Sequence, residues 1–184
     1  VTLVETVLNK TPLVVKRTLD IGLEFAIENP AELGTDLIAT AVAGYNRCRS
    51  NCIVVDFGTA LSFTVVDQAR RIRGASIAPG MQAAMNALSR NTDQLPHVPL
   101  VAPPSAIGTN TIHAIQSGII FGYVGLVGAI IDRIRGELDG PATVIATGGL
   151  SGVIATLIDS VDSVEPWLTL EGLRLIGERN PERA

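Results

Sequence analysis

Between residues 52 and 77 three apolar, β-branched runs follow one another almost without interruption: Cys52–Phe57, Leu61–Val66 and Arg71–Ile77. Connections this short join antiparallel neighbours, because a parallel pair needs a crossover of about a dozen residues or more. The middle of the chain is therefore expected to be a β-meander, and the rest has to cover the sheet built on it. Pro79-Gly80 closes the meander and Met81–Arg90 reads as a helix. A long glycine-rich helix is expected from Thr111 to about Leu138, after which Asp139-Gly140-Pro141 turns the chain into a buried strand, Ala142–Ala146, that exits into Thr147-Gly148-Gly149. A last helix is predicted from Leu170 to Arg179, preceded by Pro166 and capped by Thr169. Ahead of the meander, apolar residues at 1, 3, 4, 7 and 8 have helical spacing and Pro12 ends that helix. Leu13–Val15 and Leu23–Ile27 read as extended, Asn29-Pro30 as a break, and Ala31–Tyr45 as a helix with Asp36 at its entry. Residues 91–108 hold four of the ten prolines and predict an irregular loop. There is no internal repeat, and the order of elements gives an α/β fold with a mixed sheet.

With 184 residues, 47% apolar and 17% charged, the chain can bury a sizeable core and is not a candidate for disorder. Eighteen acidic residues outnumber fourteen basic ones, which removes the footprint of a dedicated nucleic-acid binder and points to small molecules or proteins as partners. Cys48 and Cys52, with only His97 and His113 as further soft ligands, cannot build a closed tetrahedral metal site and read as two free thiols. No secretory signal is visible, so a cytoplasmic location is expected. Ala114–Ile131 is borderline in length for a membrane span and carries Gln116 and Ser117, so a buried helix in a protein without a membrane partner is expected instead. Its glycines at 118, 122, 125 and 128 share one face and would let a second helix or a symmetry mate approach closely. Val1 falls inside an amphipathic pattern, so further sequence is expected upstream.

Several segments can carry chemistry. The strand ending in Asp56-Phe57-Gly58-Thr59 offers a carboxylate for a cation, a glycine that lets the backbone approach an anion, and a hydroxyl. An ordinary hairpin turn explains the same residues equally well. Gly148-Gly149 at a strand exit leaves room for a flat nucleoside, or simply supplies a turn. Asp36, after Gly34-Thr35, is either a general base or an N-cap, and capping is the simpler reading. Ser76–Gly80 and Ile107–Thr111 are substrate-contacting loops or plain turns. His97 and His113 lack a nucleophile elbow, so a hydrolase triad has no support. The cluster Arg70, Arg71 and Arg73 reads as a solvated sheet edge.

In combination, NPAELGTD (29–36), CIVVDFGTALSFTVVD (52–67), IAPGM (77–81), TDQLPHV (92–98), IGTNTIHAIQSGIIFGYVGLV (107–127), VIATGGL (144–150) and DSVDSVEPWLTLEGLRLIGERN (159–180) resemble type III pantothenate kinases, of the acetate and sugar kinase, Hsp70 and actin superfamily. The resemblance implies an actin-like (ribonuclease H-like) α/β fold with an incomplete first domain. Residues 1–46 would be the remnant of that domain and 47–184 the second domain, with the final helix, 169–180, packing back on the first. It implies phosphorylation of pantothenate by ATP in coenzyme A synthesis, with Mg2+ and a monovalent cation (K+ or NH4+). The expected assembly is a homodimer through helix 114–131, or a hetero-oligomer with a full-length homologue.

By position, Asp36 matches the catalytic base and Gly34 belongs to its motif. Asp56 matches the metal-binding carboxylate, Gly58 and Thr59 the phosphate loop, and Gly148 and Gly149 the nucleoside glycines. Ile77, Gly80 and Thr111 match the pantothenate region. The chain departs from the family pattern where Leu37 replaces an arginine, Leu61 and Thr64 replace a threonine and an aspartate, Thr109 a lysine and Ala75 a glycine. The family's first phosphate loop would lie upstream of Val1. Two expectations follow: this is one part of a kinase, or a degenerate paralogue serving as a structural or regulatory subunit. A nucleotide- or pantothenate-binding regulatory module is a third.

Overall fold

A computed structural model describes residues 2–90 and 98–181, so His97 and most of the 92–98 segment lie outside the described residues. The chain starts with helix α1 (Thr2–Leu8), runs through an irregular stretch to strand β1 (Glu24–Phe25), makes one 3-10 turn (Pro30–Glu32) and enters helix α2 (Thr35–Cys48). The meander follows as β2 (Asn51–Phe57), β3 (Ala60–Val66) and β4 (Arg71–Pro79), then helices α3 (Met81–Arg90) and α4 (Thr111–Gly136). Strand β5 (Ala142–Thr147), a short α5 (Ser151–Ile154), strand β6 (Ser163–Val164) and helix α6 (Leu168–Arg179) complete it.

The six strands form one mixed sheet in the order β1-β4-β3-β2-β5-β6. The meander is antiparallel as expected, with Cys52 opposite Val66 and Asp56 opposite Ser62. Strand β5 pairs parallel to β2, placing Thr147 opposite Asp56. A meander extended on the β2 side by two parallel strands is the ribonuclease H-like core of actin-like proteins. Strand β2 sits at its centre and is covered on both faces, as its near-continuous apolar sequence requires. Side chains alternate along it. Ile53, Val55 and Phe57 face a core shared with Phe63, Met81, Ile120 and Val144, while Cys52 and Val54 face the layer of α2 and α6.

Helix α2 is buried from Leu37 to Tyr45, because the sheet covers one side and α6 the other. Glycines set both distances. A side chain at Gly44 would stand 2.6 Å from Val54 Cγ2, and one at Gly172 of α6 would overlap the Ala39 carbonyl. The arrangement is fastened at its ends. Arg47 pairs with Glu165 at 2.8 Å and Glu171 at 2.6 Å. Asn180 exchanges hydrogen bonds with the Asp20 backbone, accepting at 3.1 Å and donating at 2.9 Å.

Four expectations are corrected. Leu13–Val15 forms no strand: Leu13 and Val15 rest on the cluster around Leu19 and Ile21, and no strand pairs with them. Only Glu24–Phe25 of the second extended piece pairs, parallel to β4. Thr169 is not the cap of α6, which starts at Leu168 after Trp167 and has no side-chain cap. Helix α4 is buried on one side only. Ile119, Ile120, Tyr123, Val127 and Ile131 enter the core, whereas side chains at Gly118, Gly122, Gly125 and Gly128 would meet open space. Among the described residues, α4 alone is long and apolar enough to cross a membrane by length and composition.

The glycine contacts make opposite predictions within one helix. Gly172→Ala should destabilise the fold by about 1–3 kcal/mol through overpacking against Ala39. Gly177→Ala, which meets nothing within 4 Å, should be neutral or gain up to about 1 kcal/mol from helix propensity. Urea denaturation of the two variants beside the parent checks both.

Candidate active site

The period-2 alternation of β2 carries Asp56 onto the same side as Cys52 and Val54, the side covered by α2. Beyond Phe57 the chain turns at once, Gly58 N donating to Ala60 O at 3.2 Å. Two glycines from elsewhere press against this turn. A side chain at Gly80 would lie 2.5 Å from Gly58 O and collide with Thr59 O. One at Gly148 would collide with the Asp56 carboxylate and stand 2.8 Å from Phe57 N, and Gly148 also has φ +90°. Both positions therefore admit only glycine without displacing the Asp56 loop. Gly149 faces open space. The exit of β5 is held by Leu150 N donating to Phe57 O at 3.3 Å and Ser151 Oγ donating to Gly148 O at 2.7 Å.

Asp36 approaches from the opposite side, in the first turn of α2. The N-cap is Gly34, not Asp36, so the capping reading is corrected. The Asp36 carboxylate accepts from Leu37 N at 2.9 Å and folds over Gly34, where any side chain would collide with it. A negative group is favoured at this end of the helix dipole. The approach to Asp36 is itself fixed. Asn29 Oδ1 accepts from Ala31 N at 3.0 Å and Asn29 Nδ2 donates to Glu32 at 2.8 Å. Arg17 donates to the carbonyls of Pro30 and Ala31 and, at 3.2 Å, to that of Leu33. Arg17 was not visible as a site residue in the sequence: it belongs to no motif, and its partners lie 13 to 16 positions away.

Asp36 and Asp56 meet in one cavity of about 720 Å3, which Gly34, Gly58, Thr59 and Ile77 also line. Gly80 and Gly148 stand behind the Asp56 loop and shape the cavity without lining it. Thr111 is elsewhere, at the start of α4, where it lines a second cavity of about 740 Å3 with Gly108, Thr109 and Asn110. Leu37 is buried beside Leu33 and Ile38 and shows one side to the first cavity.

The electrostatics of the first cavity are one-sided. Glu28 and Glu32 join Asp36 and Asp56 on its wall, and no lysine or arginine lines it among the described residues. Burial pushes the Asp56 carboxyl above its ordinary range, and the Asp36 charge pushes it further in the same direction. An anionic ligand would be repelled here unless a cation came with it. Among the described residues no three His, Cys, Asp or Glu side chains come together to cage a metal. One or two carboxylates beside hydroxyls, with Thr59 and Ser62 on the same wall, suit Mg2+, which keeps its waters and takes its remaining ligands from phosphates.

Residues 1–133 match the family model described as type III pantothenate kinase. The type III pantothenate kinase of Exiguobacterium sp. is 46% identical over 172 residues, 94% of this chain and 67% of that protein. That of Roseiflexus sp. is 46% identical over 179 residues, 97% of this chain and 70% of the relative, and that of Moorella thermoacetica 44% over 173 residues, 94% and 68%. The crystal structure of a Campylobacter jejuni protein described as a "conserved putative Baf family transcriptional activator" superposes with a TM-score of 0.60 at 22% identity, covering 88% of this chain and 71% of that one, which shows the shared fold.

The paired carboxylates predict two linked shifts. Asp36→Asn should lower the pKa of Asp56 yet leave it above the ordinary carboxylate range, because burial is the larger cause; a carboxyl NMR titration reads this directly. A raised folded-state pKa also means that ionising Asp56 weakens the fold as pH rises through the window between the ordinary and the raised value. Asp56→Asn should therefore raise the melting temperature at neutral pH, with the gain shrinking as pH falls and the parent carboxyl takes up its proton.

Proposed function

Because the chain belongs to the type III pantothenate kinase family, we propose that its acidic cavity is the site where ATP phosphorylates the primary hydroxyl of pantothenate in the cytoplasm, as a step of coenzyme A synthesis. The observation that carries the reading is the convergence of Asp36 and Asp56 on one cavity, from the start of a buried helix and the end of the central strand. Asp36 is the general base: it is the more exposed of the two carboxylates, and it takes the hydroxyl proton as the phosphoryl group moves. Asp56 holds the divalent ion, which supplies the positive charge that the acidic walls lack. The monovalent cation, K+ or NH4+, serves the same neutralisation. Thr59 offers its hydroxyl to the phosphates, Gly58, its N–H held by Ala60 O, lets them approach the backbone, and the open face at Gly149, beside Gly148, leaves space for the nucleoside.

Gly34 keeps the space into which the Asp36 carboxylate folds, Ile77 borders the pantothenate side, and Gly80 acts there only by seating the Gly58-Thr59 turn. Thr111 lines the other cavity, so its contact with pantothenate is made across a subunit interface, in a homodimer or beside a full-length homologue. The exposed glycine face of α4 suits such a pairing. In this reading residues 1–46 are the remnant of the first actin-like domain and 47–184 the second, with α6 lying over α2.

Leu37 favours a second reading. It stands where the family places an arginine, and a leucine cannot hold an anionic group. The chain would then be a catalytically inactive subunit of a hetero-oligomeric kinase. A coupled ADP-release assay with ATP, Mg2+ and pantothenate separates the two. The first reading expects turnover that Asp36→Asn lowers by about 100-fold or more, mainly in kcat; turnover indifferent to Asp36 overturns it. The second expects turnover only after a full-length homologue is added.

A further inference from the structure

The described chain has two cysteines, and neither takes part in the site above. Cys48 is the last residue of α2, and Cys52 is the second residue of β2. Between them Arg49 adopts the left-handed conformation, φ 53°, and its N–H donates to Tyr45 O at 2.8 Å. That turn reverses the chain so sharply that the two sulfurs face each other at 3.5 Å. The environments differ. Cys52 is fully buried among Ala43, Val54, Ile145 and Leu168, with Gly44 leaving room for its sulfur, whereas Cys48 is half-buried at the helix end.

We propose that Cys48 and Cys52 form a reversible thiol–disulfide site that takes a low-molecular-weight disulfide such as oxidised glutathione as its oxidant, with Cys48 as the entry thiol and Cys52 as the resolving one. The Cys48 thiolate attacks one sulfur of the oxidant, forming a mixed disulfide and releasing one glutathione thiolate, which takes up a proton. Cys52 gives up its proton and attacks Cys48 Sγ, expelling the second glutathione. In balance, two protein thiols and one oxidised glutathione become one protein disulfide and two reduced glutathiones.

Both halves of the step suit the surroundings. A hydrogen bond from the Cys52 thiol to the Cys48 sulfur lowers the Cys48 pKa to about 7 against the opposing effect of burial, with Thr143 and Arg47 helping and Asp162 opposing. Cys52 is held protonated by the same hydrogen bond and by burial, and so cannot attack first. The sulfurs must close from 3.5 Å to bonding distance, about 2 Å, which side-chain rotation and a small shift of the helix end provide. The resulting bond staples the C-terminus of α2 to the start of β2.

The test is to incubate the folded protein with oxidised glutathione, trap remaining thiols by alkylation under denaturing conditions, and measure intact mass with peptide mapping. The parent should lose about 2 Da and both alkylation sites, and regain them with reduced glutathione. Cys52→Ser should stop at a glutathione adduct on Cys48, and Cys48→Ser should react at least about tenfold more slowly. Two thiols that stay fully alkylatable overturn the proposal, as does oxidation of Cys48→Ser at the parental rate or a parent product that is only a stable adduct. Because Ser is close in size to Cys, near-parental melting of both variants distinguishes lost chemistry from lost folding.

Discussion

The fold depends on how closely α2 approaches its neighbours. A helix wedged between a sheet and another helix usually stands off by the width of two side-chain layers; here Gly44 removes one layer against Val54 and Gly172 removes another against Ala39. That double close approach fixes the height of α2 over β2, and so fixes where its first turn projects relative to the end of the strand. Asp36 and Asp56 belong to elements joined along the chain only at their far ends, through Arg49 and Ser50. Their meeting in one cavity is a consequence of packing along the full length of the helix.

The charge distribution follows from the same geometry. A wall of four carboxylates is unfavourable in isolation, and Asp56 holds its proton more tightly than usual, first because it is buried and then because Asp36 is near. Active sites commonly hold such unfavourable arrangements because the ligand relieves them. Here relief requires positive charge, and Thr59 and Ser62 place two hydroxyls on the same wall as Asp56. Leu37 fits this picture only partly: it contributes to the apolar cluster under α2 and offers nothing to an anion.

Much of this was legible in the sequence because the relevant signals are periodic. The three meander strands, β5, α2 and α4 all follow from apolar spacing and short connections, and the cores on both faces of β2 account for its lack of polar alternation. Elements too short to show a period were missed: β6 and α5 are two and four residues long, and nothing in Ser163-Val164 distinguishes a strand from a turn. Leu13–Val15 misled in the opposite direction, since Leu13 and Val15 satisfy a core without needing a ladder while Val14 stays exposed. At the site, Asp36, Asp56, Gly58 and Thr59 stood out through their motifs. Arg17 did not, because a guanidinium serving three carbonyls leaves no pattern in its own vicinity. Gly80 and Gly148 were visible as glycines, but their work of clearing space for the Asp56 loop emerges only from distances.

The outermost strands have a bearing on how the molecule behaves in company. Both β1 and β6 are only two residues long, so the six-stranded sheet tapers to a stub at each side. On one side the stub covers only Arg71 and Ile72 of β4, so from Arg73 onward the outer edge of β4 is paired with no strand among the described residues. The long, apolar strands that would be hazardous at a rim, β2 and β5, are held at the interior of the ladder. Along the unpaired stretch of β4, Arg73, the positive φ of Gly74 and Pro79, which has no N–H to offer, interrupt the edge and discourage another strand from adding there.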